Sequence, residues 1–133
     1  MKTFINLPVE NLDETVAFFT KLGFKFNPQF TDKNATCMII SEDSYYMLLV
    51  RDYFQTFTDK PVGHAKTAVL TINAISLDSK EEVNKMVDAA VEAGANEYKE
   101  ATDMGFMYTR RFEDLNGHMW EMFWMDPKAI EGN

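Results

Sequence analysis

Between Phe4 and Val9 apolar and polar residues alternate, the pattern of a strand with one buried face, and Glu10-Asn11 ends the run. Asn11-Leu12-Asp13-Glu14 then reads as a helix start, with Asn11 as the cap and Glu14 at the third helical position. Leu12, Val16 and Phe19 recur at helical spacing, and Gly23 closes the helix. Ala35–Ser41 and Tyr45–Val50 predict two strands split by the polar turn Glu42-Asp43-Ser44.

The same order then begins again. Ala68, Leu70 and Ile72 mark a strand, Ser79-Lys80-Glu81-Glu82 is a capping box, and Val83, Met86, Val87, Ala90 and Val91 form a helical stripe closed by Gly94. Met107–Phe112 and Met119–Trp124 read as strands around the turn Asp114-Leu115-Asn116-Gly117. Leu7 and Leu70 are 63 apart, as are Val9 and Ile72; Gly23 and Gly94 are 71 apart, and Ser44 and Gly117 are 73 apart. The separation widens only where loops lengthen, which makes the halves a tandem repeat. The predicted fold is α+β, a single domain over residues 1–133. Its parts are module one over 1–50, a linker over 51–66, module two over 67–127 and a loose polar tail over 128–133. The linker holds Tyr53, Phe54 and Phe57, which are expected to pack on the body or across a subunit contact.

Composition narrows the partners. With 133 residues and 46% hydrophobic residues the chain can bury a core without disulfides, and its lone Cys37 fits a reducing compartment. A net charge of −8 disfavours nucleic acid and anionic membrane surfaces. Pro8, Glu10 and Asp13 interrupt the N-terminal apolar run before a signal-peptide core forms, and no stretch is long enough to span a bilayer. A cytoplasmic protein is expected.

Three features together resemble the vicinal oxygen chelate superfamily, the glyoxalase, bleomycin-resistance and extradiol dioxygenase group. They are the opening NLPVENLDETVAFFTKLGFKF, the closing FEDLNGHMWEMFW with its Asp-x-x-Gly-x-x-x-Glu hairpin, and the tandem repeat itself. Within the group the likeness is to bacterial lactoylglutathione lyase-like proteins. The resemblance implies tandem β-α-β-β-β modules forming a curved mixed sheet around a cavity, and a homodimer. In metal-using members four side chains, usually His, Gln or Glu, come from the first and fourth strands of each module and hold a divalent ion.

Carried onto this chain, those positions fall on Phe4, Leu48, Thr67 and Glu121, a set too poor in donors for a catalytic ion, so no metal and no cofactor are expected. His64 reads as a surface loop residue, and His118, three residues before Glu121, points away from it. Cys37 has no activating partner in the sequence. Alternation sends Met119, Glu121 and Phe123 to one face and Trp120, Met122 and Trp124 to the other. The expected ligand cavity is lined by Phe4, Asn6, Pro8, Tyr46, Leu48, Thr67, Val69, Thr71, Met119 and Phe123. Glu121 is its catalytic candidate, as general acid or base, unless it serves only to pair Arg110 or Arg111.

Four functions stay open. One is a small-molecule-binding protein of the bleomycin-resistance kind with a degenerate metal site. The others are a metal-dependent lyase or isomerase of the lactoylglutathione lyase type, a metal-free enzyme using Glu121 as base, and a structural or partner-binding role.

Overall fold

Each half of the chain builds a four-stranded mixed sheet with one long helix packed on it. The computed structural model describes residues 1–131, in two compact units, one of Met1–His64 and one that begins at Ala65. The first unit runs β1 (Thr3–Val9), α1 (Leu12–Lys21), β2 (Lys25–Asn27), β3 (Ala35–Ile39), β4 (Ser44–Val50) and a short α2 (Arg51–Gln55). The second runs β5 (Ile72–Ser76), α3 (Lys80–Glu92), β6 (Thr102–Asp103), β7 (Met107–Glu113), β8 (Met119–Met125) and α4 (Pro127–Glu131). The sheet orders are β1-β4-β3-β2 and β5-β8-β7-β6, with β1 parallel to β4, β5 parallel to β8 and the remaining pairs antiparallel. The fold is α+β, with two open sheets and the tandem β-α-β-β-β order.

Local chemistry starts both long helices. The Asn11 side chain accepts from the Glu14 amide at 3.0 Å, and Ser79 accepts from the Glu82 amide at 3.1 Å. Glu82 reaches back to the Asp78 amide at 2.9 Å, which completes the second box one residue earlier than the usual reciprocal bond. Helix α1 buries Leu12, Thr15, Phe18 and Phe19, and the Phe19 ring meets Phe18 and Phe24 edge-on. Helix α3 buries Val83, Val87 and Ala90 in the unit whose sheet buries Phe112, Trp120 and Met122. Each such large side chain contributes about 1.5–3 kcal/mol through burial.

The hairpin between β7 and β8 is held from inside. Buried Asp114 accepts from the amides of Asn116 (2.8 Å) and His118 (3.0 Å) and from the Trp120 indole (2.9 Å). Burial raises its carboxyl above the ordinary carboxylate range. Gly117 sits at φ 90°, and a Cβ there would lie 2.6 Å from the Lys66 backbone nitrogen. The chain entering the second unit therefore crosses this turn in direct contact with it.

That crossing corrects the strand expected from Ala68. Residues 65–71 run over the turn and outside the sheet, and pairing with β8 starts only at Ile72 opposite Met119. Val69 and Leu70 are 56% and 96% exposed. The linker is also more ordered than its composition suggests. Residues 51–55 are helical, Arg51 donates to the carbonyls of Val62 and Gly63 at 2.9 Å each, and the Gln55 amide clamps Thr58, Lys60 and Val62. Tyr53 and Phe57 pack edge-on with centroids 5.1 Å apart. Of the tail expected to be loose, residues 128–131 belong to α4, and 132–133 lie outside the described residues.

Candidate functional site

Pairing and burial sort the second sheet into two faces. Trp120, Met122 and Phe112 are fully buried, and Arg110 from the same face bonds α3. On the other face Met119, Glu121 and Phe123 are half-buried, opposite Glu113, Arg111 and Thr109 of β7. The Arg111 Nε lies 3.7 Å from Glu121 Oε2, and its Nη1 donates to Thr102 Oγ1 at 3.1 Å. Glu121 is 26% exposed and Arg111 14%.

The two arginines thus have separate duties. Arg110 is engaged on the helix face by Glu97 through two bonds of 2.8 Å, by Asp88 at 2.9 Å and by Asn84 at 3.0 Å. Its guanidinium is pushed still further above its ordinary range, chiefly by Glu97. Arg111 alone faces Glu121, because the hairpin register sets Arg111 opposite Glu121 and Arg110 opposite Met122.

Segment 97–101 brings a further group that the sequence reading missed. Asn96 bridges Glu113, and pairing resumes at Thr102 opposite Thr109. Five residues on this side therefore span three on β7, a bulge that displaces the segment. Tyr98 rides on it beside Glu121, Arg111 and Glu113, and burial, then Glu121, pushes its phenol above the usual range. The phenol is thus neutral and protonated near pH 7.

The expected cavity residues do not all share a face. In the first sheet Phe4 stacks on Tyr45 at 4.9 Å, which places Phe4, Asn6 and Pro8 on the side of Tyr45 and Met47. Tyr46 and Leu48 alternate to the opposite side, where both are buried, Leu48 to 1% exposure. They pack in the core with α1 and do not line a surface with Phe4. Thr67, Val69 and Thr71 precede β5 and have no place in its register. Met119, Glu121 and Phe123 stand together on one face.

Register also resets the internal equivalences. The helix caps Asn11 and Ser79 are 68 apart, and with the pairings of β4 and β8 this makes Phe4 equivalent to Ile72 and Met47 to Glu121. The expected set Phe4, Leu48, Thr67, Glu121 becomes Phe4, Met47, Ile72, Glu121. Phe4 and Ile72, in unlike sequence surroundings, are 52% and 54% exposed. Among the described residues no group of three or more His, Cys, Asp or Glu is placed to hold a metal ion. His118 is buried in the hairpin turn, and His64 is an exposed loop residue 3.9 Å from Glu10. Burial pushes the Cys37 thiol up, away from nucleophile behaviour.

A family model described as bleomycin resistance protein-like N-terminal matches residues 2–41. In the solved structures, the chain is similar to a glyoxalase/bleomycin resistance protein/dioxygenase family enzyme from Burkholderia phytofirmans PsJN (16% identity, 92% of this chain and 96% of that one, TM-score 0.76). The chain thus shares the fold of glyoxalase/bleomycin resistance/dioxygenase structures. A glyoxalase-related enzyme from Fulvimarina pelagi shares the fold at 17% identity over 93% of this chain and 87% of that one, TM-score 0.78. A hypothetical protein from S. aureus is 25% identical over 93% of each chain, TM-score 0.79. No curated protein matches by sequence. At these identities the solved structures speak for the fold alone. Among the described residues no helix is long and apolar enough to cross a membrane.

Proposed function

We propose that this protein is a member of the vicinal oxygen chelate superfamily, a small-molecule-binding protein of the bleomycin-resistance kind without a metal at the superfamily position, and that it acts as a homodimer in the cytoplasm. One observation carries the reading: the register leaves Phe4, Met47 and Ile72 where the resemblance expects ligands, with Glu121 as the sole hard donor. Two hydrocarbon side chains and a thioether do not fit an octahedral divalent ion, which takes oxygen and nitrogen donors. Glu121 is already turned toward Arg111. What remains is a half-buried sheet face with Met119 and Phe123 as apolar contacts and Glu121 and Arg111 as polar ones, the usual make-up of a ligand surface.

The lyase reading lacks a metal set, and the general-base reading must explain a carboxylate held beside a guanidinium. The test uses metal-free bleomycin as the probe, titrated calorimetrically against the wild type and Glu121→Gln. Binding that weakens at least tenfold in the variant, at unchanged fold, supports the reading; equal affinity for both proteins, or none for the wild type at millimolar probe, contradicts it. The dimer rests on the exposed apolar residues of the edge strands β1 and β5, Phe4, Ile5 and Ile72 among them.

A further inference from the structure

Glu121 has unlike neighbours on its two sides. On β7 the register sets Arg111 opposite it, and the guanidinium fills that side, with Nε 3.7 Å from Oε2. On β5 the register sets Ala74 opposite it. Asn73 and Ile75 pair with the buried Trp120 and Met122, so Ala74 shares the face of Glu121, where it is exposed. A methyl group stands only one carbon above the sheet. The next β5 residues on that face are Ile72, opposite Met119, and Ser76, opposite Phe123. The ladder therefore leaves a notch along the edge of the sheet. Ala74 is its floor, Ile72 and Ser76 stand at its ends, and Glu121 is its wall between Met119 and Phe123. Glu121 Oε1 accepts no hydrogen bond among the described residues, whereas a half-buried carboxylate oxygen ordinarily has a partner.

Charge selects what fits there. Glu113 and Glu121 set two carboxylates beside the Arg111 guanidinium, and Arg111 is tied on its far side to Thr102 Oγ1 and the Glu100 carbonyl. The face is thus net negative, and its open acceptor lies over Ala74. We infer that Ala74 is a specificity-determining residue of the Glu121 face: the notch above it admits an organic amine, whose N–H groups donate to Glu121 while its apolar body lies against Ile72, Met119 and Phe123. This assignment rests on the ligand-binding reading of that face and adds the class of ligand and the side on which it enters. A ligand carboxylate would meet Glu121 and Glu113 as like charges, and an alcohol would make the hydrogen bond without the charge. Pairing of β5 along its edge in a dimer would extend the sheet and leave this face open, because side chains stand perpendicular to the ladder.

The probes are tryptamine and its neutral and anionic counterparts, tryptophol and indoleacetate, titrated calorimetrically against the full chain. The wild type should bind tryptamine about tenfold more tightly than tryptophol, the difference between a charge-assisted and a neutral hydrogen bond, and indoleacetate least. Ala74→Leu fills the notch and should weaken tryptamine by about tenfold or more through steric exclusion, at an unchanged melting temperature. Ala74→Ser leaves the notch open and should bind as the wild type does. If Ala74→Leu melts lower, Ala74→Val repeats the test with a smaller side chain that suits a strand. Glu121→Gln should bring tryptamine down to the affinity of tryptophol. Equal affinity of the wild type for all three probes, or tryptamine bound as tightly by the filled variant as by the wild type, overturns the inference. Either result, beside metal-free bleomycin that binds the wild type and is lost in Glu121→Gln, leaves the parent reading standing without the notch. Tryptamine bound in the expected pattern, with no binding of bleomycin, keeps the notch and removes the bleomycin-resistance reading. No binding of any of these compounds removes both.

Discussion

Replacing Glu121 by Gln removes one charge and keeps the side-chain shape, so it separates a binding role from a structural one. The carboxylate lies 3.7 Å from Arg111 Nε, beyond hydrogen-bond length, with side-chain exposures of 26% and 14%. At an effective dielectric of about 20 the attraction across that gap is roughly 4 kcal/mol, but desolvation and the ordering of two side chains offset most of it. Loose, partly wet pairs of this kind are worth about 0.2–1 kcal/mol. Arg111 keeps its bond to Thr102, so no cation is left bare. Glu121→Gln should therefore cost less than about 1 kcal/mol, a melting shift of at most about 4 °C in a chain of this size. The assay is a urea midpoint and a thermal melt followed by circular dichroism, beside the probe titration. A loss above about 3 kcal/mol would instead show a carboxylate buried for structure.

Asp114→Asn should destabilise by about 1–3 kcal/mol, since an amide placed among three donors sets one N–H against another. The urea midpoint at pH 7 checks it. Because burial raises the Asp114 pKa, the folded state holds that proton more tightly than the unfolded state. Its stabilising contribution is full below the ordinary aspartate range and is lost as pH rises through the raised value; urea midpoints across that window should fall with pH more steeply in the wild type than in Asp114→Asn. Gly117→Ala should cost more than the about 1–3 kcal/mol of a left-handed alanine, because its Cβ also meets the Lys66 backbone; far-ultraviolet melts would show it. Sedimentation should give a species near twice the monomer mass of 15.3 kDa, and a monomer alone at micromolar concentrations would remove the dimer.

The elements were legible because local signals agreed. The caps Asn11 and Ser79, the stripe Val83, Val87, Ala90 and the alternation around Glu121 all act within a few residues, and each is where the sequence put it. Register was harder to read. Ala68, Leu70 and Ile72 look like the start of a strand, yet residues 65–71 run across a turn where Lys66 approaches the Cβ-free Gly117, and nothing local signals that contact. The slip of a few residues carried Leu48 and Thr67 into the expected site in place of Met47 and Ile72, since a one-residue shift turns a side chain to the other face. The choice between Arg110 and Arg111 follows from the hairpin loop length, which the sequence contained. Tyr98 did not show at all, because its segment has no period and its place depends on a two-residue bulge.

Under the proposed function, ligand binding proceeds without a metal at the superfamily position. Metal analysis of protein purified without chelator and dialysed against nickel, zinc and manganese tests it directly. Well under one ion per chain is expected, unchanged in Glu121→Ala. About one ion per chain in the wild type, lost in Glu121→Ala, would contradict it and restore the metal-dependent lyase or isomerase.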